Sequence, residues 1–320
     1  MNAKRFGRVL ALLLLVGVLV TSTGCTKQKA EQAKPAATEQ PAAETSARAD
    51  LLVSVEDLAA APDQYFIIDA RDPKAYEAGH IPGAVSGPWQ TFATVAQGKP
   101  GDKDWGVLAK PQAIADAAGK LGVDTDKTIV IYSDPTGWGE DGRVVWTLRS
   151  IGIENTRILD GGFPGWTAAG KESSTEVPKL AATTVAVAGD KLGDINVTTD
   201  EVKKAVEDGS AIIVDARSAK EYGGATDFGE ARGGHIEGAV NIPFPTLFNE
   251  NGTLKSDDDL NAMFTEAGLG TDKPIIVYCT KGIRSAFMTE VLRMLGYAQA
   301  KNYDASYYSW AGDSALPIEK

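Results

Sequence analysis

Four blocks of this 320-residue chain occur twice, in the same order and at nearly constant offset, so most of the chain is one fold written twice. F-I-I-D-A-R ends at Arg71 and I-I-V-D-A-R ends at Arg217, 146 positions later. G-H-I-P-G-A-V begins at Gly79 and G-H-I-E-G-A-V at Gly234, 155 positions later. The second copy therefore carries about nine extra residues ahead of its histidine, roughly Gly223–Ala231. D-K-T-I-V-I-Y-S ends at Ser133 and D-K-P-I-I-V-Y-C at Cys279, again 146 apart. D-G-G-F-P-G-W ends at Trp166 and D-A-S-Y-Y-S-W at Trp310, 144 apart. The copies occupy residues 50–171 and 196–320, and a Ser-, Thr-, Ala- and Val-rich stretch with Pro178 links them over 172–195. A chain of this length holds about two domains.

Each copy alternates strand and helix signals. Ala211–Val214 and Pro274–Tyr278 are short apolar runs without polar alternation, which suits strands buried on both faces of a parallel sheet. Asp257–Ala267 reads as a helix, and so does Ser285–Leu295, whose apolar positions 287, 288, 291, 292 and 295 fall on one face ahead of Gly296. The expected fold is α/β, with two tandem domains, each a central parallel sheet covered by helices on both faces. In such folds chemistry gathers at the carboxyl ends of strands.

Composition narrows the functions. Forty-three acidic residues against 32 basic ones give a net charge of −11, which excludes nucleic acid as a partner held by Lys and Arg on phosphates. Two histidines and two cysteines leave no multi-ligand zinc site and no disulfide scaffold. No metal and no organic cofactor is implied.

Residues 1–24 read as a secretory signal: Lys4, Arg5 and Arg8, then the apolar run Val9–Val20, then small residues. The run has 12 residues, short of the about 20 a bilayer-spanning helix needs. Gly24-Cys25 resembles a bacterial lipobox, with Ser22 where an aliphatic residue is usual; the alternative is an ordinary signal with an incidental cysteine. The lipobox reading makes Cys25 the lipidation site of an exported lipoprotein, anchored to a membrane on its extracytoplasmic side. Residues 25–49 lack the aliphatic content of a core and read as a flexible tether.

Lipidation of Cys25 would leave Cys279 as the one free thiol, at the end of a predicted strand and just before a helix. In Cys279-Thr280-Lys281-Gly282-Ile283-Arg284, backbone N–H groups can turn toward the helix N-terminus and form an anion cradle. Gly282 permits the turn, and Lys281 and Arg284 add charge. A thiol so placed is expected to fall from about 8.5 into the range of roughly 3.5–7.5, a thiolate at neutral pH that needs no general base. His80 and His235 occupy equivalent places in both copies, one of which lacks the cysteine, and read as structural.

The two D-A-R blocks, the two G-H-I-x-G-A-V blocks and the V-Y-C-x-K-G-x-R loop resemble the rhodanese family of sulfurtransferases over roughly residues 50–315. Tandem members, the thiosulfate and mercaptopyruvate sulfurtransferases, carry the active cysteine in the second domain only. The resemblance implies that Cys279 takes a sulfane sulfur from a small anionic donor, becomes a persulfide, and passes the sulfur to cyanide, a thiol or a protein. It implies a substrate-binding loop of Thr280, Lys281, Gly282, Ile283 and Arg284. The C-x4-R spacing is one residue shorter than the C-x5-R of phosphatase-like relatives and suits attack on sulfur. Lys281 and Arg284 point to thiosulfate, although Thr280 departs from the basic residue often found second, and 3-mercaptopyruvate remains the alternative donor. Arg232, three residues before His235, is a candidate substrate-binding arginine or else a surface residue.

The first copy has Ser133 in place of the cysteine, in a loop about two residues longer. Its Asp134, Glu140 and Asp141 would repel an anionic donor and occupy the loop's N–H groups, which leaves this half to pack on the second and wall the cleft. Asp69/Arg71 and Asp215/Arg217 read as fold-holding ion pairs, and Trp166 and Trp310 as core anchors, with Trp310, Tyr307 and Tyr308 as possible pocket walls. Besides a thiosulfate-type enzyme, a persulfide carrier or binding module for a partner protein and a tethered scaffold with an inert cysteine stay open.

Overall fold

The computed structural model describes residues 44–189 and 191–320, with the backbone alone for 44–46. The predicted signal 1–24, Cys25 and most of the tether lie outside the described residues. The tether's last residues depart from expectation: Glu44–Leu51 is helical. Arg48 donates to the carbonyls of Leu254 and Lys255, both at 3.0 Å, and pairs with Asp257 at 2.5 Å, while Leu51 is buried in the core.

The first half builds five parallel strands, β1 Leu52–Val53, β2 Tyr65–Asp69, β3 Val85–Ser86, β4 Thr128–Tyr132 and β5 Thr156–Leu159, in the order β1-β5-β4-β2-β3. The second half builds β6 Ile212–Asp215, β7 His235–Ile236, β8 Val240–Asn241, β9 Ile275–Tyr278, β10 Ala300–Asn302 and β11 Ile318–Glu319. Four of these form a parallel sheet in the order β10-β9-β6-β8, and β11 pairs antiparallel with β7.

The unalternating apolar runs are explained by burial on both sides. Along β9, Ile275 and Val277 enter one core cluster while Ile276 and Tyr278 enter another, and Val214 and Ile213 divide the same way on β6. The first of these clusters also contains Ile68, Ile129 and Ile131 of the first half, so the two sheets share a core within one packed unit. Between them lie the helices Glu140–Ser150 and Ile283–Met294. A Cβ on Gly142 would stand 2.7 Å from the Phe287 Cα, so the crossing of these two helices requires glycine there.

Residues 172–189 form a strap on the first half. Ser174 exchanges two backbone hydrogen bonds with His80, Thr183 N donates to Gly119 O at 2.9 Å, Ala188 N donates to Ile151 O at 3.0 Å, and Val185 is buried. The D-A-R blocks hold the sheets as expected. Arg217 clamps Asp215 through Nε and Nη2, both fully buried, and donates to Gly234 O at 2.7 Å; Arg71, Asp69 and Gly79 repeat the motif.

Candidate active site

β9 ends at Tyr278, and Cys279 follows at its carboxyl end. The chain turns at Gly282, whose φ of 74° lies in the left-handed region, and enters the helix Ile283–Met294. A Cβ at Gly282 would meet Asp304 O at 2.5 Å, so the turn needs glycine for space as well as conformation. Across the sheet, the Cys279 N–H donates to Ser306 Oγ at 2.9 Å, and Ser306 itself holds a φ of 57°. Ser306 sits in the repeated block ending at Trp310, where only the tryptophan and tyrosines attract notice in the sequence.

The Cys279 thiol is buried. Lys281 N–H points at Sγ from 3.4 Å, and the Ser285 hydroxyl from 3.6 Å. Burial pushes the thiol up, but the Arg284 guanidinium, the N–H groups of Ser285 and Lys281 and the Ser285 hydroxyl together bring it below the ordinary thiol range. The loop's N–H groups thus converge on sulfur at a helix start.

The two loop cations differ. Arg284 is clamped by Glu221, Nη1 to Oε2 at 2.9 Å and Nη2 to Oε1 at 2.7 Å, and Thr280 Oγ1 bridges the same two groups. Burial would raise Glu221, but Arg284 and the Ser218 cap take it down to about 2. Arg284 is therefore a fixed cation: its Nη groups are committed to Glu221 and Thr280, and its charge acts on the thiol. Lys281 is 5% exposed, and its Nζ has no hydrogen-bond partner. Burial takes it down to about 8, against the opposing pull of Asp304. Lys281 thus supplies the one loop cation whose donors are uncommitted.

Thr280, Lys281 and Ile283 line a cavity of about 380 Å³ between the halves. Trp89, Trp105 and Trp138 of the first half wall it, facing Phe228 and Tyr308 of the second. Tyr307 and Trp310 stay in the core, Tyr307 stacking over Arg217 at 3.8 Å and Trp310 donating to Pro317 O at 2.8 Å.

Arg232 does not join the pocket. Its guanidinium donates to the carbonyls of Trp310, Ala311, Asp313 and Leu316, which makes it a clamp on the C-terminal segment. Both histidines stack on tyrosines, His80 on Tyr76 and His235 on Tyr222, with Nδ1 at the same tyrosine's carbonyl.

In the first half, Ser133 lies six positions ahead of the helix cap Gly139, against three from Cys279 to Gly282. The loop is thus three residues longer, one more than the sequence blocks suggest. Asp134 accepts from Thr136 N, Glu140 from Trp138 N and Asp141 from Gly142 N, so carboxylates occupy the N–H groups an anion would use. Among the described residues, no group of three or more His, Cys, Asp or Glu side chains is placed to hold a metal ion.

Comparison with known proteins agrees with this geometry. The model of the rhodanese-like domain matches residues 54–169 and 198–313. A protein of Saccharopolyspora erythraea named "Putative thiosulfate sulfurtransferase" is 33% identical over 256 residues, 78% of this chain and 87% of that one. The sulfur carrier protein TtuD of Thermus thermophilus is 33% identical over 258 residues, 77% of this chain and 87% of the relative. Among solved structures, the 3-mercaptopyruvate sulfotransferase SseA of Escherichia coli is 32% identical with a TM-score of 0.71, over 80% of this chain and 98% of that one.

Proposed function

The chain belongs to the rhodanese-like domain family of sulfurtransferases, and on that premise we propose that it moves a sulfane sulfur from thiosulfate to a thiophilic acceptor through a persulfide on Cys279. The Cys279 thiolate attacks the outer sulfur of thiosulfate, a new S–S bond forms, and sulfite leaves with the electron pair of the bond that breaks. The acceptor then attacks the outer sulfur of the persulfide, and Cys279 leaves as thiolate. No oxidant, reductant or general base is needed, because the thiolate is both nucleophile and leaving group.

The observation that carries this reading is the pairing of a lowered thiol with a buried, unpartnered ammonium two residues on. The N–H groups around Sγ stabilise the thiolate, and Lys281 offers its donors to the sulfonate of the incoming donor. Arg284, tied to Glu221, acts on the thiol through its charge. A second donor, 3-mercaptopyruvate, would present a carboxylate to the same ammonium, and the likeness to the Escherichia coli enzyme favours testing it alongside.

The same proposal places the protein outside the cytoplasm, held to a membrane by a lipid on Cys25; the order of charged, apolar and small residues ahead of that cysteine supports it. Labelling with a fatty-acid analogue, lost in Cys25→Ser, tests this part.

The activity test is thiocyanate formation from thiosulfate and cyanide by the purified chain beside Cys279→Ser. Turnover lost in the variant supports the thiosulfate reading. Turnover with mercaptopyruvate alone replaces the donor, and absence of turnover with either leaves the carrier role seen in the name of the Thermus relative.

A further inference from the structure

The places where the two halves differ most meet over the cleft. Trp138 lies in the extra stretch of the loop after Ser133, and Phe228 lies in the insertion Gly223–Ala231 that the first half lacks. Their rings pack edge to face with centroids 4.9 Å apart. Both are large and unusually open, 41% and 37% exposed. The turn that carries Phe228 is fixed from both sides. Tyr308 Oη donates to Phe228 O at 2.7 Å, Glu230 accepts from Phe228 N at 3.0 Å, and a Cβ on Gly101 of the first half would stand 2.5 Å from Gly229 O. Trp138 lies over Arg284, 4.7 Å from ring centroid to guanidinium carbon.

Beneath this pair, Trp89 and Trp105 meet edge to face at 5.9 Å, and the buried Lys281 ammonium stands 5.5 Å from the Tyr308 ring. The cavity they enclose, about 380 Å³, falls within the size range of organic-ligand sites and far exceeds what the five heavy atoms of thiosulfate or the two of cyanide fill. Its acidic lining is engaged elsewhere: Asp72 caps a helix at Lys74 N, and Glu140 accepts from Trp138 N. Flat apolar walls and one uncommitted buried cation describe the ligand.

We propose that this cleft is an acceptor subsite for an aromatic thiol that carries an acidic group, its ring held between Trp138, Phe228 and the deeper tryptophans and its acid on Lys281. The inference rests on the sulfur-transfer reading of Cys279. In the transfer, the aromatic thiolate attacks the outer sulfur of the Cys279 persulfide, a new S–S bond forms on the acceptor, and Cys279 leaves as thiolate. The product is an aryl persulfide.

Binding and transfer test it separately. In the Cys279→Ser chain, 4-hydroxybenzoate, which has no thiol, should quench tryptophan fluorescence saturably, and Trp138→Ala together with Phe228→Ala should weaken its binding about ten-fold. In the sulfur-loaded native chain, discharge by 4-mercaptobenzoate should saturate, and the same two substitutions should lower its rate relative to cyanide by about ten-fold. The circular dichroism of the variants reports that they fold. Failure to load sulfur refutes the catalytic reading and leaves the binding result to decide the subsite. Loading and cyanide discharge without saturable benzoate binding, or with a ratio indifferent to Trp138 and Phe228, overturns the subsite alone.

Discussion

The guanidinium of Arg143 and the carboxylate of Asp304 form a buried pair that joins the half without a cysteine to the loop that has one. Arg143 Nη1 also donates to the carbonyl of Gly282 at 3.1 Å, and the other oxygen of Asp304 accepts from Leu108 N at 2.8 Å. The first half therefore does more than wall the cleft, because its helix Glu140–Ser150 holds the residue on which the cysteine loop turns.

Replacing Arg143 by Met should strand a buried carboxylate and destabilise the chain by about 3–5 kcal/mol. Replacing both Arg143→Met and Asp304→Leu should recover a large part of that loss. Urea unfolding of the single and double variants checks the coupling.

The thiol of Cys279 should alkylate with an apparent pKa below that of a free thiol. Arg284→Gln removes the charge that opposes burial and should raise it toward or above the free-thiol value. The iodoacetamide rate followed against pH gives both values.

Lys281 sets a second pH limit. Its ammonium is present below about pH 8 and lost above it, so the KM for an anionic donor should rise as pH passes 8. Lys281→Met should raise that KM by roughly 10–100-fold at pH 7, the worth of a hydrogen bond to a charged group, and remove the rise. Initial loading rates across pH 6–10, compared with those of Lys281→Met, separate this effect from thiol ionisation, which persists in the variant.

Asp141 in the first half carries a stability signature. Burial raises its carboxyl from the ordinary 3.8 to about 7, against the N–H of Gly142. Folding thus holds this proton more tightly than the unfolded chain does. The contribution is complete below about pH 4 and is lost as pH rises to 7. Asp141→Asn should flatten that part of the stability curve and stabilise the chain at pH 8 by roughly 1–3 kcal/mol, read as a shift in urea midpoint.

Much of this was legible in the residues themselves. The repeated blocks gave the two sheets, the apolar runs their central strands, and the D-A-R pairs their buried clamps, because periodicity and local spacing record what packs nearby in sequence. Ser218-x-x-Glu221 announces a helix cap, and the structure has one, but nothing in that spacing shows that Glu221 also grips Arg284, 63 residues away. Arg143, Asp304 and Ser306 were silent for the same reason, since their partners lie across the interface or on another strand. The insertion predicted extra structure before His235 and suggested Arg232; tertiary packing turned that arginine onto C-terminal carbonyls and put Phe228 at the cleft.

The central claim is that sulfur travels on Cys279, and intact mass spectrometry of the full chain tests it most directly. After exposure to thiosulfate, the native chain should gain the mass of one sulfur atom, located at Cys279 by peptide mapping, and lose it on addition of cyanide. Cys279→Ser should gain nothing. A native chain that produces thiocyanate without ever carrying the added sulfur, or a Cys279→Ser chain that carries it, would contradict the account.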